Sequence, residues 1–66
     1  MSLGKNLRHI RKEKGFTQPV VANALNIALR TYQHYEQGDR EPSLATLVAL
    51  ADFLEVTTDR LLGRMN

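Results

Sequence analysis

The chain has 66 residues, no cysteine, and nine basic against seven acidic groups. A chain near 60 residues hides only about 60% of its unfolded surface, so one thin-cored domain spanning 1–66 is expected, without a deep catalytic pocket; with no cysteine, a disulfide scaffold and a thiolate zinc site are both excluded. The longest apolar-rich stretch, residues 44–51, is far short of the roughly 18 residues a bilayer span requires, and no charged-then-apolar leader opens the chain, so a soluble, cytoplasmic protein without a membrane partner is expected.

Net charge is +2, but its distribution is uneven: residues 1–30 carry +5 and residues 31–66 carry −3. A basic half favours a polyanionic partner on one side of the molecule.

No alternating run points to a strand, whereas helix starts and stops are frequent. Leu3, Leu7 and Ile10 form an amphipathic stripe that Gly15 ends in the left-handed conformation. Thr17 then caps a second helix over Gln18 to Leu25, with Pro19 in its first turn, Phe16 and Val21 as a hydrophobic staple, and Val21, Ala22 and Leu25 inward. Asn26 is the next left-handed candidate. A third helix begins near Ala28 or Leu29 and stops at Gly38, with Tyr32 and Tyr35 on one face. After a loop through Asp39 to Pro42, Ser43 caps a fourth helix with Leu44, Leu47, Leu50, Ala51 and Leu54 at helical spacing. Thr57 caps a fifth, closed by Gly63. The expected fold is a compact all-α domain of five short helices.

Catalytic signatures are missing. Of the two serines, Ser43 is better used as a cap and Ser2 lies at the end of the chain, so His9 and His34 have no nucleophile to activate. The histidines are 25 positions apart, without the spacing of a metal pair, and no glycine-rich phosphate loop is present. Neither an enzyme, a cofactor nor a metal site is expected.

Between Thr17 and Gly38 there is room for two short helices and a tight turn, the shape of a helix-turn-helix, whose second helix enters the major groove. Opposite its tyrosines that helix presents Leu29, Arg30, Thr31, Gln33, His34 and Gln37. Arginine can chelate guanine, glutamine can bridge adenine, and an aliphatic chain can meet a thymine methyl.

The run from Leu7 through Arg11 to Gln18, then Ala22, Leu25 and Ile27, then Tyr35-Glu36-Gln37-Gly38, Pro42-Ser43-Leu44, Leu47, Ala51, Leu54, Val56 and Leu61 to Arg64 resembles the lambda-repressor-like, Cro/C1-type (XRE-type) helix-turn-helix domains. The resemblance spans Leu3 to Arg64 and implies a five-helix fold that binds double-stranded operator DNA, usually as a twofold homodimer on a near-palindromic site. It implies base reading by Leu29, Arg30, Thr31 and His34, and backbone contacts from Gln18, Gln33, Gln37, Gly38 and Arg40. It further implies a partly buried structural ion pair between Arg11 and Glu36. The family's dimers form through the C-terminal part, which points to Phe53, Leu62 and Met65 as the interface; a fourth helix apolar nearly all round agrees with an interface there.

Four departures stand out: Asn26 for the usual turn glycine, Ala28 for the capping Ser or Thr of the third helix, Glu55 for the glycine after the fourth, and Pro19-Val20 for a more polar pair. The resulting expectation is a sequence-specific transcriptional regulator, a repressor, controlled by its own concentration or by a regulatory partner protein. An antitoxin or restriction-control protein with the same head is the first alternative. A protein-interaction module without DNA contact is the second, against which the basic half and Arg30 argue.

Overall fold

The computed structural model describes residues 2–64, which form five helices: α1 (Leu3–Glu13), α2 (Gln18–Ala24), α3 (Leu29–Gln37), α4 (Leu44–Leu54) and α5 (Thr58–Leu62). No strand occurs among the described residues. Each boundary has a local cause. Ser2, Thr17, Ser43 and Thr57 accept hydrogen bonds from the backbone N–H groups of Lys5, Val20, Thr46 and Arg60, satisfying one otherwise unpaired amide at the start of each helix. Ala28 occupies the same position before α3 and makes no side-chain cap bond.

At the other ends the chain reverses through left-handed residues. Glycine serves at Gly15, Gly38 and Gly63, while Asn26 (φ 56°) and Glu55 (φ 59°) adopt this conformation with side chains. Asparagine tolerates it by local hydrogen bonding; glutamate has no such compensation. Helix α2 stops one residue before the expected Leu25, which forms its C-cap.

The core joins Leu7 and Ile10 of α1, Val21 and Ala22 of α2, Tyr32 and Tyr35 of α3, Leu50, Ala51 and Leu54 of α4, and Leu61 of α5. Helix α3 packs against both α1 and α2; α1 also packs on α5, and α5 on α4. Leu25, Ile27, Leu47 and Val56 seal the margins. Phe16 and Phe53 pack with ring centroids 4.9 Å apart at a 32° tilt. Leu44 departs from the expected inward stripe: as the first residue of α4 it lies a turn short of the core and is 76% exposed.

Gly4 was not singled out by pattern, yet it sets the approach of α1 to α3. A Cβ there would stand 2.5 Å from the Glu36 carbonyl oxygen and 2.8 Å from that of Tyr35, both backbone atoms. Only glycine lets the two helix backbones come this close. Two further links hold α5: the Asn6 amide donates to the Leu61 carbonyl at 3.2 Å, and Arg60 pairs with Glu13 at 2.6 Å. Arg60 hydrogen-bonds the Glu13 carboxyl and holds it below the usual carboxylate range.

Candidate nucleic-acid interface

Behind the outer face of α3 lies a buried carboxylate. Glu36 sits in the last turn of α3, 4% exposed, facing Arg11 on α1, which is 7% exposed. Arg11 Nε donates to Glu36 Oε2 at 2.6 Å and its Nη2 to Oε1 at 3.2 Å, while Nη1 donates to the Phe16 carbonyl at 2.9 Å. The Tyr32 hydroxyl donates to Oε2 and the Gln18 amide to Oε1 at 3.0 Å. Arg8 Nε lies 3.6 Å away on the solvent side. No buried side-chain nitrogen or oxygen is left without a partner among the described residues.

The charges follow from this geometry. Burial pushes the Glu36 carboxyl up, but hydrogen bonds from Arg11, Tyr32 and Gln18 together outweigh it and hold the group below the usual carboxylate range. The hydrogen bond to Glu36 raises the affinity of Arg11 for its proton. Burial, reinforced by the bond to Glu36, pushes the Tyr32 hydroxyl well up, so it stays a donor. The arrangement locks α1, the start of α2 and the end of α3 into one frame.

The opposite side of α3 turns outward. With Tyr32, Tyr35 and Glu36 buried, Leu29 and Arg30 face solvent and Thr31 and His34 are half-exposed. Helix α3 has nine residues; with side chains an α-helix is about 10–12 Å across, a thickness that a major groove about 12 Å wide admits. Gln18, at the start of α2, and Gln33, on α3, touch: the Gln33 side-chain amide donates to Gln18 Oε1 at 3.2 Å. Gln37, Gly38 and Arg40 are exposed where the chain leaves α3.

Two participants, Arg8 and Asp39, and the contact between Gln18 and Gln33 were not singled out beforehand. Arg8 adds a second cation at Glu36. The Gln18–Gln33 link crosses two helices, and no spacing rule connects positions 15 apart. Asp39, five residues after His34, meets its imidazole Nδ1 at 2.9 and 3.0 Å; the left-handed Gly38 between them was the available clue.

Of the three residues assigned to a dimer face, Phe53 is half-buried against Phe16, Leu62 is 37% exposed, and Met65 lies outside the described residues. Val48 (43% exposed) and Leu44 extend the apolar outer face of α4. Among the described residues no group of three or more His, Asp or Glu is placed to hold a metal, and no helix is long and apolar enough to cross a membrane.

Comparison with known proteins decides the family. The helix-turn-helix family model matches residues 7–61. The chain belongs to this family. It is 42% identical over 64 residues to the HTH-type transcriptional regulator ImmR of Bacillus subtilis, covering 97% of this chain and 50% of that protein. It is 38% identical over 64 residues to the cryptic phage CTXphi transcriptional repressor RstR of Vibrio cholerae, covering 97% of this chain and 57% of the relative. A crystal structure of a transcriptional regulator from Listeria innocua superposes with a TM-score of 0.87 at 29% identity, over 98% of this chain and 61% of that one. The chain thus spans about half the length of the curated relatives it matches. The matched part of this helix-turn-helix protein takes in the frame around Glu36 and all of α3.

Proposed function

We propose that this chain is a sequence-specific DNA-binding module of a transcriptional regulator, a repressor that binds a near-palindromic operator as a dimer with α3 in the major groove. The observation that carries the reading is the two-sidedness of α3. Its inner side is clamped by a satisfied buried ion pair, and its outer side presents Leu29, Arg30, Thr31 and His34 together. Arg30 has no ion-pair partner among the described residues. Its guanidinium suits the O6 and N7 of guanine.

Gln18, Gln33, Gln37, Gly38 and Arg40 serve as backbone contacts, setting register without reading sequence. The basic groups of residues 1–30 add long-range attraction to a polyanion. For the dimer, Leu62 and Phe53 form the interface with the apolar outer face of α4, and the two α3 helices are expected about one DNA turn, roughly 34 Å, apart. Residues 1–66 act as one domain, and the protein works in the cytoplasm without enzymatic activity. The relationship to a phage repressor supports the repressor reading over the antitoxin or restriction-control one.

The test is a gel shift against DNA upstream of the protein's own gene and against a random duplex, at two salt concentrations. Selective, salt-sensitive binding is expected, with log affinity falling by roughly 0.9 per phosphate contact per decade of salt. Arg30→Ala should lose discrimination between sites, and Gln18→Ala should weaken all sites alike. Equal losses from both variants on specific and random DNA would refute this division of roles.

A further inference from the structure

His34 is the one base-reading candidate whose ring is held by a second side chain. Gly38 ends α3 in the left-handed conformation (φ 88°), its N–H on the His34 carbonyl, and the reversed chain brings Asp39 alongside the imidazole. Both carboxylate oxygens lie at Nδ1, 2.9 and 3.0 Å away. A Cβ on Gly38 would meet nothing within 4 Å, so glycine is required there for its backbone angle, which is the angle that delivers Asp39.

The chemistry of the contact is one-directional. An ionised carboxylate only accepts hydrogen bonds, so Nδ1 must carry the proton. In the neutral ring the proton is then absent from Nε2, on the opposite edge, which has no partner among the described residues. The hydrogen bond at one ring nitrogen thus decides what the other offers. An unpaired Nε2 is an acceptor. In the major groove it suits the amino groups of adenine N6 and cytosine N4, and it is mismatched with guanine O6 and N7 and thymine O4.

We propose that Asp39 is a specificity-determining positioning residue: by holding the proton of the neutral His34 ring on Nδ1, it makes that side chain select a base bearing an exocyclic amino group. This inference rests on the proposed reading of α3 as the base-contacting helix. Asp39 itself need not touch DNA, and its carboxylate at a DNA-facing surface is repelled by phosphate. The pair is also exposed, with side-chain exposures of 36% for His34 and 57% for Asp39. Such pairs contribute little to folding, so D39A melts with the parent protein.

Two measurements test it. Long-range proton–nitrogen NMR on the free protein, at about pH 8 where imidazole is ordinarily neutral, should show the His34 proton on Nδ1 and shift it toward Nε2 in D39A. A proton on Nε2 in the parent protein, or no change in D39A, overturns the proposal irrespective of DNA. The second measurement is selection from a pool of randomised duplexes by the parent protein, H34A, D39A and R30A. The parent should prefer adenine or cytosine at one position of each half-site by about 5–10-fold. H34A and D39A should each reduce that preference to about twofold or less at that position alone, leaving the positions altered by R30A untouched. If H34A relaxes the position and D39A does not, Asp39 has no such role while α3 remains the reading helix. If the parent protein selects no sequence and R30A changes nothing, the reading of α3 fails and the proposal with it.

Discussion

Replacing Arg11 by methionine keeps most of the apolar stem and removes the guanidinium, stranding Glu36 in the interior. Two charge-assisted hydrogen bonds to the carboxylate, at 2.6 and 3.2 Å, are lost with it, as is the bond to the Phe16 carbonyl. Breaking a buried pair from one side costs about 3–5 kcal/mol. Tyr32 and Gln18 still donate to Glu36, and the half-exposed Arg8, 3.6 Å away, can close part of the gap, which places the loss at the lower end, about 3 kcal/mol. A chain of this length has a total stability of about 3–10 kcal/mol, so the variant should melt about 12–24 °C lower. Thermal and urea unfolding followed by far-UV circular dichroism measures this directly.

Its pH dependence provides an internal control. In the parent protein the folded Glu36 carboxyl lies below its unfolded value of about 4.3. Its contribution is therefore complete above that pH and is lost as pH falls through the folded value. In Arg11→Met the arginine no longer holds the carboxyl down, so its folded value should rise above that of the parent. Acidification should then relieve the stranded charge and narrow the gap between variant and parent. The double variant Arg11→Met/Glu36→Leu should recover most of the loss. A cost below about 1 kcal/mol at neutral pH, the range of a surface pair, would refute the reasoning, as would a gap that widens in acid.

Gly4→Ala should destabilise by about 1–3 kcal/mol through overpacking against fixed backbone, although alanine in a helix is ordinarily favoured over glycine by about 1 kcal/mol; the sign of the change in urea midpoint decides. Ala28→Ser should stabilise by about 1 kcal/mol by supplying the cap that α3 lacks. Glu55→Gly should gain about 1 kcal/mol by relieving the left-handed backbone, both read as higher urea midpoints at unchanged slope. Leu62→Glu, on the proposed dimer face, should give a monomer in analytical ultracentrifugation and weaker operator binding with unaltered base preference; a dimer that persists would move the interface elsewhere.

Local rules made the helices legible. Caps at Thr17, Ser43 and Thr57 and left-handed stops at Gly15, Asn26, Gly38 and Gly63 act within a few residues, so the sequence carries them openly, whereas the cap at Ser2 emerged only in the folded chain. The outward residues of α3 were equally readable, because the tyrosines at positions 32 and 35 determine which side turns inward. Arg11 and Glu36 were reached through family resemblance, since no periodicity pairs residues 25 apart. Only the folded chain decides the rest. Whether Leu44 is covered depends on where the core layer ends relative to the first turn of α4. Gly4 matters because α1 and α3 cross at that point, and the same residue elsewhere on the helix would be a defect. The Gln18–Gln33 link and the grip of Asp39 on His34 exist because the tertiary arrangement and one left-handed turn bring polar atoms within hydrogen-bonding distance. Backbone conformation is governed by near neighbours along the chain, whereas contacts between side chains are governed by neighbours in space.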